Sequence, residues 1–145
     1  MNFEVCRRNF KAVGFKGRGA FEHFSEEVPA LAKQLLARAG EIESHLHIEI
    51  AFFEPKREGA HHIGHYIVGL LVRNSISPPM GMEFIEIDQK YVTATGKIST
   101  ISSLHSNLMQ WANEQGHKRN LESYIVETYH PMDDEEEVQI YLPIY

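Results

Sequence analysis

The sequence has a single cysteine, Cys6, and a single tryptophan, Trp111. One cysteine excludes an internal disulfide framework and any zinc site built on several thiolates. Long hydrophobic runs are missing as well. The longest clean one, Ile67 to Val72, contains Gly69 and falls far short of the ~20 apolar residues of a membrane-spanning helix. The N-terminal stretch MNFEVCRRNF lacks the apolar segment of about 7–15 residues that marks a secretory signal. Basic residues are outnumbered, 14 Lys and Arg against 20 Asp and Glu, for a net charge of −6 with histidine neutral. Such a chain is a poor partner for the phosphate backbone of nucleic acids. No GxSxG elbow, GxGxxG loop or HExxH pair occurs. These absences predict a reduced, soluble, cytoplasmic protein that engages neither membrane nor nucleic acid directly.

What is present is ordinary globular composition: 145 residues, 43% apolar and 23% charged. That is enough for one domain, residues 1–145, burying roughly 68–70% of its unfolded surface. A strand is predicted over Phe3 to Phe15, ended by glycines 14, 17 and 19. Val28, Leu31, Ala32, Leu35, Leu36 and Ala39 form one face of a 3.6-residue period. Pro29 argues for a helix start near Val28–Pro29, after a separate turn over Phe21 to Glu27, and Gly40 stands where the helix should stop. His47 to Phe53 and Ile63 to Val72 read as strands, followed by the Pro–Pro connector from Ser75 to Met82.

The order then starts again. Phe84 to Gly96 reads as a strand, and Ser103 to Gln115 as a helix capped by Ser102 or Ser103 and stopped at Gly116. Tyr124 to Tyr129 and Val138 to Ile144 close the chain, with the acidic run Asp133 to Glu137 as the turn between them. HIEIAFFEP, ending at Pro55, aligns with SYIVETYHP, ending at Pro131. The pattern is a duplication, strand–helix–strand–strand twice, with repeat one over about 1–74 and repeat two over about 83–145. The fold class that follows is α+β: two tandem βαββ repeats forming a mostly antiparallel sheet, with both helices on one face and a groove between the repeats.

Few residues carry chemistry by pattern alone. His61, His62 and His65 cluster, and His45 and His47 stand two apart, but neither group offers a complete tetrahedral ligand set, so no metal or other cofactor is expected. Cys6 has Arg7 and Arg8 beside it but no base in view. The acidic run lacks the spaced ligands and glycine of a calcium loop and reads as a solvated turn. Glu127 is different. It lies mid-strand on the face of Ile125 and Tyr129, where it either meets water or stands in a partly dry cleft as a base or a counter-charge for a cation. Tyrosines and Trp111 recur on the predicted strands and second helix; most should be core, yet several beside a glutamate would also cage a cation.

Three stretches resemble the GyrI-like small-molecule-binding domains, the effector-binding modules of multidrug-responsive bacterial transcription regulators. Gly81 to Val92 is similar to the segment entering the family's second repeat. Tyr124 to Pro131 is similar to its penultimate strand, a glutamate followed two residues on by an aromatic. Val138 to Ile144 is similar to its closing strand. The resemblance implies two βαββ units with a groove between them on the face away from the helices. It implies bulky hydrophobic or cationic ligands held by aromatic stacking and an acidic residue. Glu127 matches the acidic position, and Tyr129 and Tyr91 match aromatic ones; Tyr66 and Trp111 join the candidate set on aromatic character alone.

Regulators of this kind carry a DNA-binding domain ahead of the module, whereas this chain enters its first strand by Phe3, so a stand-alone module is expected. A small-molecule binder is the first reading. The alternatives are a hydrolase of strained electrophiles using Glu127 as general base with help from Tyr91, and a gyrase-inhibitor-like module that meets a protein partner through the Asp133 to Glu137 turn.

Overall fold

A computed structural model describes residues 2–145. Its elements run β1 (Glu4–Ala20), α1 (Phe24–Ala37), β2 (His45–Phe53), β3 (Ile63–Val72), β4 (Glu83–Lys97), α2 (Ile101–Glu114), β5 (Ile125–His130) and β6 (Glu137–Pro143). This is the βαββ unit twice over. All strand pairs are antiparallel, and the sheet closes on itself in the order β1-β3-β2-β5-β6-β4. Two seams join the repeats: β1 lies along β4, and β2 lies along β5.

Successive strand residues point to opposite faces, so a closed sheet has an inner and an outer set. The inner set, Phe10, Ala12, Ile50, Phe52, Ile67, Tyr91, Val126 and Tyr141, comes from all six strands and packs as one cluster. The outer set forms two cores. Leu35 on α1 packs with Val13, Ala51, Val68 and Leu70, and Leu104, Leu108 and Ala112 on α2 pack with Val92, Ala94 and Ile140. Both helices therefore cover the outer face.

β1 runs past its glycines rather than ending at them. Gly14 stands opposite Gly69, and a Cβ there would lie 1.8 Å from the Val68 carbonyl oxygen. At Gly17 a Cβ would lie 2.4 Å from the Tyr66 ring. These glycines admit close approach of a neighbouring strand and ring, a use of glycine that a sequence shares with loop formation.

α1 also begins earlier than Pro29 suggests, at Phe24, behind a single turn of 3₁₀ helix over Phe21–His23. Proline costs the helix the bond its N–H would have made one turn back. Phe24 offsets that loss by packing against Phe21, Phe53 and Tyr66. Gly40 lies in a second 3₁₀ turn, Ala39–Glu41, beyond the helix end.

In β2 a bulge between His45 and Glu49, with His47 at φ +61°, resets the alternation. The bulge leaves Glu49, Ala51 and Phe53 on the outer face. At α2 the cap residue is Thr100, not a serine, and its hydroxyl donates to the Lys97 carbonyl. Gly116 ends this helix at φ +78°, where the His117 N–H donates to Ala112 and the Gly116 N–H to Asn113. That bond pair is the Schellman arrangement, which satisfies the last free carbonyls.

The acidic turn before β6 straps down the entrance to α2. Lys97 Nζ meets Asp134 at 2.6 Å, Ser99 Oγ donates to Glu135 at 2.7 Å, and the Ile98 N–H donates to the Glu136 carbonyl. The turn thus brings the Glu136 side chain next to the outer face of β5.

Candidate functional site

A cavity of about 640 Å³ lies on the outer face over the β2–β5 seam, between α1 and the start of α2. The groove therefore sits on the helix-bearing face, not the opposite one. The reason is that the opposite face is the inside of the closed sheet, already filled by Phe10, Phe52, Tyr91 and Tyr141. Apolar walls come from Phe24, Val28, Ala32 and Leu36 of α1, Phe53 of β2, and Ile98 and Ile101 at the entrance to α2. The seam contributes Glu49, Glu127 and Tyr129, and the strap before β6 contributes Glu136.

Glu127 is the most enclosed of the acids, only 7% exposed. It stands opposite Ala51, whose small side chain leaves the cavity open above the seam. Each carboxylate oxygen has a partner. The Tyr129 hydroxyl donates to Oε1 at 2.5 Å, and His105 Nε2 on α2 lies 2.6 Å from Oε2. Burial pushes the Tyr129 hydroxyl well above the usual tyrosine range, and the charge of Glu127 and the bond to it push it further. Tyr129 therefore remains a donor at any ordinary pH. Contacts at both oxygens hold the Glu127 carboxyl group in one orientation, facing a cavity whose remaining walls are mainly apolar.

Glu49 stands across the seam from Tyr129. Burial, then the nearby charge of Glu136, pushes its carboxyl above the usual carboxylate range. Neither Glu49 nor Glu136 makes a side-chain hydrogen bond or ion pair among the described residues.

Of the five residues singled out in the sequence, the structure brings Glu127 and Tyr129 together at the cavity. The other three lie elsewhere. Tyr91 is fully buried inside the closed sheet against Phe10 and Tyr141, with its hydroxyl unpartnered. Tyr66 lies beneath α1, its hydroxyl donating to Glu27 at 3.0 Å and its ring edge-on to Phe24. Trp111 packs against Phe3 and His117 on the far side of α2. The residues that sequence reasoning missed are His105, Glu49 and Glu136. A signal existed for His105, which shares a helical stripe with Ile101, Leu108 and Ala112. Glu49 likewise shares strand parity with Ala51 and Phe53.

The remaining candidates are structural. His61 and His65 both meet Glu54, at 3.0 and 3.1 Å, and Arg57 meets it at 3.2 Å, bracing the link from β2 to β3. Among the described residues no group of three or more His, Cys, Asp or Glu is arranged to hold a metal. Burial raises the Cys6 thiol, which favours the unreactive protonated form. No helix among the described residues is long and apolar enough to cross a membrane.

No protein-family model matches the sequence, and no curated protein does. Solved structures match over nearly the whole chain. SAV2435, solved bound to tetraphenylphosphonium, superposes with a TM-score of 0.71 at 11% identity, covering 100% of this chain and 94% of that one. The C-terminal domain of EcmrR gives 0.62 at 13% identity, covering 100% and 99%. A hydrolase from Listeria innocua gives 0.57 at 10% identity, covering 99% and 91%. The chain shares its overall α+β fold with these structures. At these identities the likeness is one of fold.

Proposed function

We propose that this protein binds bulky lipophilic cations in the cavity between α1 and α2, with Glu127 as a counter-charge. The observation that carries this reading is a carboxylate only 7% exposed, oriented by Tyr129 and His105, at the floor of an apolar cavity of about 640 Å³. That volume lies within the usual range for small-molecule sites, about 300–1,000 Å³. A carboxylate this enclosed is costly even when hydrogen-bonded at both oxygens, and a cation relieves that cost. At ~4 Å and an effective dielectric near 20 the attraction is about 4 kcal/mol. Apolar walls retain the body of the ligand without demanding one shape. The fold is shared with SAV2435, a protein solved with such a cation bound.

Calorimetric titration with tetraphenylphosphonium tests the reading without depending on Trp111, which does not line the cavity. Saturable binding is expected in the wild type, weakened about tenfold or more by Glu127→Gln, a change of ~1.4 kcal/mol or more. Absence of binding by the wild type, or equal affinity in the variant, overturns it.

One observation favours a second reading, hydrolysis of a strained electrophile. A carboxylate and a phenol face the same cavity in contact, so Glu127 could take a proton from water while Tyr129 delivers one to the atom released. The assisting phenol would then be Tyr129, since Tyr91 faces the inside of the sheet. Incubation with an epoxide or activated cyclopropane, followed by mass spectrometry, detects the added water; no product beyond the buffer control removes this reading.

A further inference from the structure

Glu127 does not exhaust the negative charge of the cavity. Glu49 and Glu136 also line it, half-buried. The protein offers them no compensation. Tyr129 and His105 direct their polar atoms at Glu127, and Lys33, the one lysine at the rim, is solvent-exposed and forms no ion pair among the described residues. The only influences that shift the Glu49 carboxyl are burial and Glu136, and both disfavour its charge. A pair of like charges in a partly dry place, with no internal counter-ion, is an unrelieved cost in the free protein.

The register gives the spacing. Glu127 is opposite Ala51, and Glu49 is two residues along the same strand, opposite Tyr129. Glu49 and Glu127 are therefore diagonal cross-strand neighbours, about 7–8 Å apart at the backbone. Both project from the outer face into one cavity.

We propose that the preferred ligands of this cavity are dications, with an apolar body, one charge at Glu127 and a second charge roughly 7–8 Å away at Glu49 and Glu136. The inference rests on the lipophilic-cation reading above and names the ligand class within it. A monocation at Glu127 acts on the Glu49–Glu136 pair only from a distance, whereas a second positive charge beside the pair relieves both members directly.

The test uses a matched pair of compounds, butyltriphenylphosphonium and (4-trimethylammoniobutyl)triphenylphosphonium, titrated calorimetrically at one fixed ionic strength. The dication, though more hydrophilic, is expected to bind the wild type about tenfold more tightly. Glu49→Gln with Glu136→Gln should abolish that advantage, weakening the dication more than the monocation, while Glu127→Gln weakens both compounds. Either single variant, expected to remove part of the advantage, serves if the double variant is unstable. Equal or weaker binding of the dication to wild type, or an advantage that survives in the variants, overturns the inference and leaves the cation reading standing if the monocation still binds. Failure of both compounds to bind removes the two together.

Discussion

Replacing Tyr129 with phenylalanine deletes one oxygen atom and keeps the ring that packs against both outer cores. The atom removed is the donor to Glu127 Oε1 at 2.5 Å. A hydrogen bond to a charged group contributes about 1.5–3 kcal/mol net, and enclosure of Glu127 places this one toward the upper part of that range. For a domain of this size each kcal/mol moves the melting temperature by roughly 2–4 °C, so Tyr129→Phe should melt about 4–10 °C below the wild type. Urea unfolding should show a lower midpoint at unchanged slope, since the surface exposed on unfolding is nearly the same. The sharper assay is the double-mutant cycle with Glu127→Gln. If the hydroxyl and the carboxylate hold one another, the two losses overlap, giving a coupling energy of about 1–2 kcal/mol. Additivity to within about 0.5 kcal/mol would refute the claim that this contact orients Glu127.

Tyr91→Phe should behave in the opposite way. Its hydroxyl is buried without a partner, so removal should leave stability unchanged or raise it by about 1–3 kcal/mol, with cation affinity untouched. A loss above about 1 kcal/mol, or weakened binding, contradicts that assignment. Alkaline pH offers an independent check. Burial raises the hydroxyls of Tyr66, Tyr91, Tyr124, Tyr129 and Tyr141 above the ordinary value of 10.0. Above that value the unfolded chain releases protons that the folded chain keeps, so this contribution to stability is present below pH ~10 and lost as pH rises further. Melting temperatures should fall steeply above pH ~10, and the tyrosinate absorbance of these five should appear with unfolding rather than before it.

The duplicated frame and the pairing of Glu127 with Tyr129 were legible because each is written in a local period. Ile63 to Val72 is apolar and β-branched at Ile67, Val68 and Val72, and it forms a strand over those residues. Tyr91 was misplaced for a reason that also lies in the fold. The strand β4 is covered on one side by α2 and on the other by the inner cluster. A central stretch buried on both faces carries no polar alternation to mark which side meets a cavity. The glycines of β1 misled similarly. Gly14 serves an approach to Gly69 on another strand, and nothing in its neighbours along the chain distinguishes that use from a break. Glu136 is placed by the strap from Lys97 and Ser99 to the acidic turn, a contact between segments far apart in sequence.

The duplication also explains why the cavity carries its charge where it does. In the alignment of the two repeats Ala51 corresponds to Glu127, Phe53 to Tyr129 and Glu49 to Ile125. The structure pairs the same positions across the seam: Ala51 with Glu127, Glu49 with Tyr129 and Phe53 with Ile125. The local twofold relation between the repeats therefore passes between Ala51 and Glu127. A seam with glutamate at both central positions would place two buried carboxylates in adjacent strands, directly opposed, at a cost of several kcal/mol. Alanine at one of them leaves a single oriented charge with space above it. The off-centre acid Glu49 then sits diagonally from Glu127, opposite Tyr129. The two halves supply one frame, and the differences between them at three positions turn a symmetric seam into a cavity with a direction: apolar at Phe53, acidic from Glu127 toward Glu49.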